Sequence, residues 1–462
     1  MSTIIRGAWV LAMAPGAELV RDGGVLIADD GSIAAVDVFD KLAAANPQAE
    51  IVGDGNGVVM PGLVNAHTHL TECLIPGMGE TATLWEWFER VVDPAGRVIT
   101  REDVRLGTRL KGAEMLLSGI TTVNDMSCHR NLGSLASLGA AEGLEDMGMR
   151  GVVSFGAEDI FPDAPEPEAF MAEHEALADL TAGMELVGFR VGVGTVLGIS
   201  PGLFERTVNA SAEHGWAVHT HLAEVREEVT ASNLEHGCST IELAGRVGLL
   251  DRPTIAGHCI WCSENDIGLM VDKQVAVAHN PVANMILASG VCPVPRLRRE
   301  GIAVGLGTDG AASNDNQDMF GVLKTTGLLH KVSALRADAM TAPEVMRMAT
   351  IEGARALGID GLTGSLEPGK RADVVLLDGN TPELATIHDP WQQVVYCATA
   401  ACVSDVWVDG NRRVEAGEVA GCDLPRLSGL AREAGSELAV RAGLGGESVY
   451  AGPGTAGPFK GQ

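Results

Sequence analysis

Eight short apolar runs punctuate the middle of this 462-residue chain, at 62–66, 121–125, 151–155, 190–195, 217–221, 254–258, 275–279 and 303–308. Amphipathic or alanine-rich stretches such as "REDVRLGTRLKGAEMLLSG" and "SPGLFERTVNASAEHG" lie between several of them. Continuous apolar runs of this length read as strands buried on both faces, and strands alternating with helical stretches build parallel sheets. Eight such units predict an α/β fold, a (β/α)8 barrel.

The two ends of the chain read differently. "IIRGAWVLAM" and "GGVLIADDGSIAAVDV" near the start, and "GSLEPGKRADVVLLD" (364–378) and "VSDVWVDGNRRVEAG" (403–417) near the end, are β-rich and broken by turns. We therefore expect a small β-sandwich domain built from both termini, 1–60 and 362–422, around a barrel at 61–361. Residues 423–462 read as one helix followed by a flexible Gly/Pro-rich tail, "GPGTAGPFKGQ".

The polar residues that close these runs carry the chemistry. The first run ends at His67 and His69, the fifth at His221, the sixth at His258, the seventh at His279 and the eighth at Asp309. In a barrel these ends meet at one mouth, where active sites are built. Residues i and i+2 of a strand share a face, so His67 and His69 aim two imidazoles at one point. With His221 and Asp309 they make a nitrogen and carboxylate set that suits one divalent transition metal, zinc, iron or cobalt, with a position left for water. A metal lowers the pKa of its water, and a nearby carboxylate must carry the proton. Glu224, in "HTHLAE" (219–224), is the expected carrier, and His258 the expected polarising group. His219 reads as a supporting histidine. Trp85, Trp87, His129, His279 and Asn280 are weaker candidates for substrate contacts, and Glu72 in "HTHLTE" reads as a loop carboxylate. "GLGTDG" spells a dinucleotide fingerprint but ends a barrel strand and carries Asp309, which excludes the nucleotide reading.

Composition narrows the partners. A net charge of −28, from 33 basic and 61 acidic residues, repels phosphate backbones and anionic lipid, so neither nucleic acid nor membrane is an expected partner. No apolar run reaches the roughly 20 residues of a membrane span, and the start lacks a signal-peptide pattern, so a cytoplasmic location is expected. The nine cysteines lack framework spacing and read as reduced, with the C-x-x-C at 259–262 too isolated to mark zinc or redox chemistry. A small neutral or cationic organic ligand remains, and a small neutral organic substrate is the expected partner.

On "PGLVNAHTHL" (61–70), "VHTHLAE" (218–224), "AGHCIWC" (256–262), "AHNPVANM" (278–285), "GLGTDGAASND" (305–315) and "GSLEPGKRADVVLLD", the chain resembles the amidohydrolase superfamily over roughly residues 1–420. It is most similar to the branch of methylthioadenosine/S-adenosylhomocysteine deaminases and triazine hydrolases. The resemblance implies one divalent metal held by the matches His67, His69, His221 and Asp309, a proton-transfer pair at Glu224 and His258, and homo-oligomers. Where the adenosine-type deaminases carry "GPHSP", whose histidine contacts the purine, this chain has "GTVLGISP" (194–201); where they carry a ribose-binding glutamate, "VVDPAGRVIT" (91–100) has none. One arginine of that branch has an apparent match at Arg150. The implied reaction is displacement, by a metal-activated hydroxide, of ammonia, an amine or chloride from an electron-poor carbon of a small nitrogen heterocycle. The alternative is hydrolysis of an open-chain urea, carbamate or thiocarbamate, as in xenobiotic degradation. A third class, a non-catalytic barrel kept as scaffold, is opposed by the complete set of six candidate residues.

Overall fold

All eight predicted runs form strands in the computed structural model, which describes residues 2–444. Met1 and residues 445–462, with the expected tail, lie outside the described residues. Leu63–Thr68, Ile120–Asp125, Arg150–Val153 and Val187–Phe189 make one parallel sheet. Gly156–Ala157, Val191–Thr195, Val218–Leu222, Thr254–His258, Ala276–His279 and Val304–Leu306 make a second, also parallel. Two runs each have an unexpected neighbour in sequence that joins the other sheet. The run at 151–155 forms Arg150–Val153 and is followed by Gly156–Ala157; the run at 190–195 forms Val191–Thr195 and is preceded by Val187–Phe189. The sheets are stitched there by the Arg190 N–H, which donates to the Val153 carbonyl at 3.0 Å. At their other edges the Asp309 N–H donates to the His67 carbonyl at 2.9 Å, and Asn65 bonds Thr308 through both its amide groups.

The helices between strands follow from local chemistry. Arg101–Leu117 opens on a reciprocal cap, in which the Thr100 hydroxyl accepts the Asp103 N–H and the Asp103 carboxylate accepts the Thr100 N–H. Its Val104, Ala113, Met115 and Leu116 are buried. It stops at Gly119, whose φ of +79° suits glycine, and the chain turns directly into Ile120–Asp125. Leu424–Arg441 forms the expected C-terminal helix, buries Leu427, Ala431 and Leu438, and ties Arg441 to Asp103 at 2.6 Å. Among the described residues no helix is long and apolar enough to cross a membrane.

The termini do come together. Val58–Pro61 pairs in parallel with Thr3–Ala14 on one side and antiparallel with Val374–Leu377 on the other, within one nine-stranded sheet. Ile5, Val10, Val25, Val59, Val374, Leu376 and Trp407 form its own apolar core. Arg150 fastens this sheet to the parallel strands. Its guanidinium donates to both Asp373 oxygens, at 2.9 and 3.1 Å, and to Asp409 at 2.9 Å. Arg150 begins its strand, at the end opposite the histidines, and its side chain is consumed by this clasp. Removing the cation leaves Asp373 buried beside Asp409 with no charge partner, which costs about 3–5 kcal/mol. Arg150→Met is expected to lower the melting temperature while leaving metal content unchanged, as calorimetry and elemental analysis will report.

Candidate metal centre

His67 and His69 share the face of one strand end, as their spacing requires; His221 approaches from the strand Val218–Leu222 and Asp309 from just beyond Val304–Leu306. The His221 Nε2 lies 3.2 Å from His67 Nε2 and 3.3 Å from His69 Nε2. Asp309 Oδ1 lies 3.5 Å from His67 Nε2 and 3.4 Å from His69 Nε2. Gly257 makes room for this convergence, because a Cβ there would stand 3.1 Å from the His221 ring.

The far nitrogens decide which atoms face the centre. His69 Nδ1 donates to the Met126 carbonyl and His221 Nδ1 to the Gly194 carbonyl, each at 2.7 Å. A carbonyl only accepts, so both rings carry their proton on Nδ1 and present a bare Nε2. His67 is set by a longer chain. Ser154 donates to the Asp125 carbonyl at 2.7 Å, leaving its oxygen to accept from His219 Nδ1 at 3.1 Å; His219 Nε2 then accepts from His67 Nδ1 at 2.8 Å. His219 is thus the supporting histidine expected from the sequence. Three bare nitrogens and a carboxylate oxygen, with His221 and Asp309 each within 3.5 Å of both His67 and His69 and no hydrogen between them, fit a bound cation. Burial, reinforced by the neighbouring His67, holds the His69 imidazolium down at about 4, and His67 and His221 are lowered for the same first reason. Burial opposes ionisation of Asp309, but His67, His258 and His69 outweigh it and keep the carboxyl well below its usual range.

Glu224 and His258 stand beside this set. His258 Nε2 lies 3.4 Å from Glu224 Oε2 and 3.8 Å from Asp309 Oδ2, and its Nδ1 donates to Asn284 Oδ1 at 2.8 Å. Burial pushes the Glu224 carboxyl up to about 7, with His258 pulling against it. His258 moves the other way round: burial lowers it, but Glu224 and Asp309 prevail and raise it. Ala223, His258, Cys259 and Asp309 all have φ between +47° and +69°, unusual for side-chain-bearing residues. Glu228 steadies one of these turns by accepting the Ala223 and Glu224 N–H groups at 3.2 and 2.9 Å. Neither Glu228 nor Asn284 was singled out from the sequence, although a carboxylate four residues beyond Glu224 on a helix start was a usable signal.

These groups floor a cavity of about 450 Å³ whose wall includes Leu84, Trp85, Trp87, Phe88, Ile160, Phe161, Leu197 and Leu287. Trp85 and Trp87 therefore face the space where a ligand would bind, and the Trp87 indole donates to the Ala312 carbonyl at 2.8 Å, bracing the Asp309 loop. Glu72 also reaches the cavity, buried against Gly310, where burial and then Asp309 raise its carboxyl well above the usual range. The other three substrate candidates lie outside this wall. His129 is turned away, paired to Glu173 at 2.9 Å beneath the Phe155 ring. His279 points to the helix Met319–Ala334, its Nε2 3.2 Å from that of His330, and Asn280 is buried against Gly307.

The amidohydrolase family model matches residues 58–413, which includes every residue of this centre. The chain belongs to the amidohydrolase family. A 5-methylthioadenosine/S-adenosylhomocysteine deaminase of Desulforudis audaxviator is 37% identical over 420 residues, covering 89% of this chain and 93% of that protein. An adenosine deaminase structure from Xanthomonas campestris with bound zinc superposes with a TM-score of 0.87 at 31% identity, covering 95% of this chain and 98% of that one. An atrazine chlorohydrolase from Arthrobacter aurescens, also with zinc, shares the fold with a TM-score of 0.85 at 24% identity, over 94% of this chain and 100% of that one. The amidohydrolase centre has a direct test in its supporting shell. His219→Ala removes the acceptor that orients His67, and metal affinity is expected to fall about 10–100-fold, read by competition with a chromophoric chelator. His67→Asn is expected to abolish stoichiometric binding.

Proposed function

We propose that this amidohydrolase is a metal-dependent hydrolase that displaces ammonia, an amine or chloride from an electron-poor carbon of a small neutral nitrogen heterocycle. The observation that carries this reading is the 3.4 Å approach of Glu224 to His258 beside the convergent donors of His67, His69, His221 and Asp309. His67, His69, His221 and Asp309 would hold one divalent ion, zinc by the precedent of the zinc-bound relatives, with iron and cobalt compatible with the same donors. When bound, such an ion acidifies water and stabilises negative charge on the substrate. Glu224, poised near neutrality, takes a proton from the attacking water and delivers it to the departing group. His258, fixed by Asn284 and leaning on Glu224, donates a hydrogen bond to charge developing at the reacting carbon. The two parallel sheets are read as one (β/α)8 barrel over 61–361, and the terminal sheet as a small sandwich of 1–60 and 362–422, with 423–462 an appended helix and tail. Cytoplasmic homo-oligomers are the expected form.

One observation favours a second reading, hydrolysis of an open-chain urea, carbamate or thiocarbamate. Much of the cavity wall is aliphatic and aromatic, and Leu197 occupies the segment where the deaminases carry their purine-contacting histidine. A panel of metal-loaded reactions, scored for ammonia, chloride, amine and thiol, separates the two. Under either, Glu224→Gln is expected to keep its metal and lose roughly 10²–10⁴-fold in kcat. Normal turnover by that variant would remove Glu224 from the mechanism.

A further inference from the structure

The cavity holds a carboxyl group that the proposed reaction does not use. Glu158 follows the two-residue strand Gly156–Ala157 and lies in the wall next to Ile160, Phe161 and Leu197. Its side chain rests across two glycines of the segment Gly194–Gly198. A Cβ on Gly194 would stand 2.4 Å from its Oε1, and a Cβ on Gly198 would stand 2.8 Å from its Cδ. The bareness of these two residues is therefore what lets the carboxyl occupy this part of the wall. The Gly194 carbonyl meanwhile holds His221, so Glu158 is separated from the metal-facing donors by a single stretch of backbone.

Glu158 has a vacant bonding capacity. The Thr195 N–H bonds it, but among the described residues no side-chain donor does. Arg130, whose charge reaches it, is spent elsewhere: it is bonded to Asp93 at 2.5 Å and stacked over Phe161 and Phe88, at 4.3 and 5.5 Å from their ring centres. Glu158 is partly buried and open to the cavity, so a ligand that fills this part of the wall either supplies a donor to the carboxyl or strips it of solvent without one, at a cost.

We propose that Glu158 is a specificity-determining residue that accepts a hydrogen bond from an N–H or O–H group of the substrate, on a part of the molecule held away from the reacting carbon. This rests on the hydrolase reading above and adds the polar feature by which that cavity chooses among small, otherwise apolar nitrogen compounds. Burial pushes the carboxyl up to about 7, against the pull of Arg130. A group that gains on being bonded has a corresponding penalty when the ligand lacks the donor.

The test uses matched pairs of substrates on the metal-loaded enzyme: a secondary amine against its N-methyl partner, and a hydroxyl against its methoxy partner. The wild-type enzyme is expected to prefer the donor-bearing member of at least one pair by about 10–100-fold in kcat/KM, expressed mainly in KM. Glu158→Leu should erase that ratio, and Glu158→Gln, which keeps an acceptor oxygen, should retain most of it. Gly198→Ala leaves the carboxyl in place chemically but crowds it, and should also erase the ratio; metal content and melting temperature monitor folding throughout. A ratio near unity in the wild type for both pairs, or one unchanged in Glu158→Leu, overturns the inference while the hydrolase reading stands. A metal-loaded wild type that hydrolyses nothing in the panel overturns the hydrolase reading, and the inference with it.

Discussion

Four lone pairs aimed at one another are the constraint on which this molecule is built. His67, His69 and His221 keep their Nδ1 protons on His219, Met126 and Gly194, so a proton added to any of them goes to Nε2 and points into the crowded centre, where burial opposes the charge. Asp309 adds a negative oxygen to the same point. Such a cluster is mutually repulsive when empty and strongly attractive to a cation, so binding energy is stored in its arrangement. The rest of the fold serves to hold these donors against that repulsion.

The holding is done by backbone as much as by side chains. Asp309 is anchored through its own amide to His67, and its carbonyl accepts from Thr68 and Gln317 at 2.8 and 2.9 Å. The left-handed turns at Ala223, His258 and Asp309 place each functional group where an ordinary strand exit would miss the centre. The acidic character of the cavity is muted by burial, which raises Glu72, Glu158 and Glu224 alike. A chain with a large net negative charge thus offers a mouth compatible with neutral ligands.

Much of this was legible in the sequence. Strand positions followed from apolar runs, and the donors followed from where those runs ended. The pairing of His67 with His69, and the supporting place of His219, both follow from a period of two. What could not be read was direction where a strand gives way to a loop. His279 ends a strand just as His258 does, yet the φ of +69° at His258 turns one side chain to the cavity while His279 faces a helix. His129 was lost for a related reason, since Glu173 lies on a remote helix and draws it away. Glu158 carried no local signal, because its setting depends on the glycines of another strand. The extra strands beside the third and fourth runs, Gly156–Ala157 and Val187–Phe189, are likewise a matter of tertiary pairing, which short apolar runs do not encode.

The sheet that joins both ends of the chain has a consequence for how the polypeptide becomes a protein. Val59 is paired with Leu376, so the edge of an early strand stays unsatisfied until almost the whole of the intervening α/β region has been made. Such distant pairing carries a heavy loop-closure cost and leaves an adhesive ribbon waiting during synthesis. Val374–Leu377 closes this edge late, and a chain cut short before it is left with an open seam.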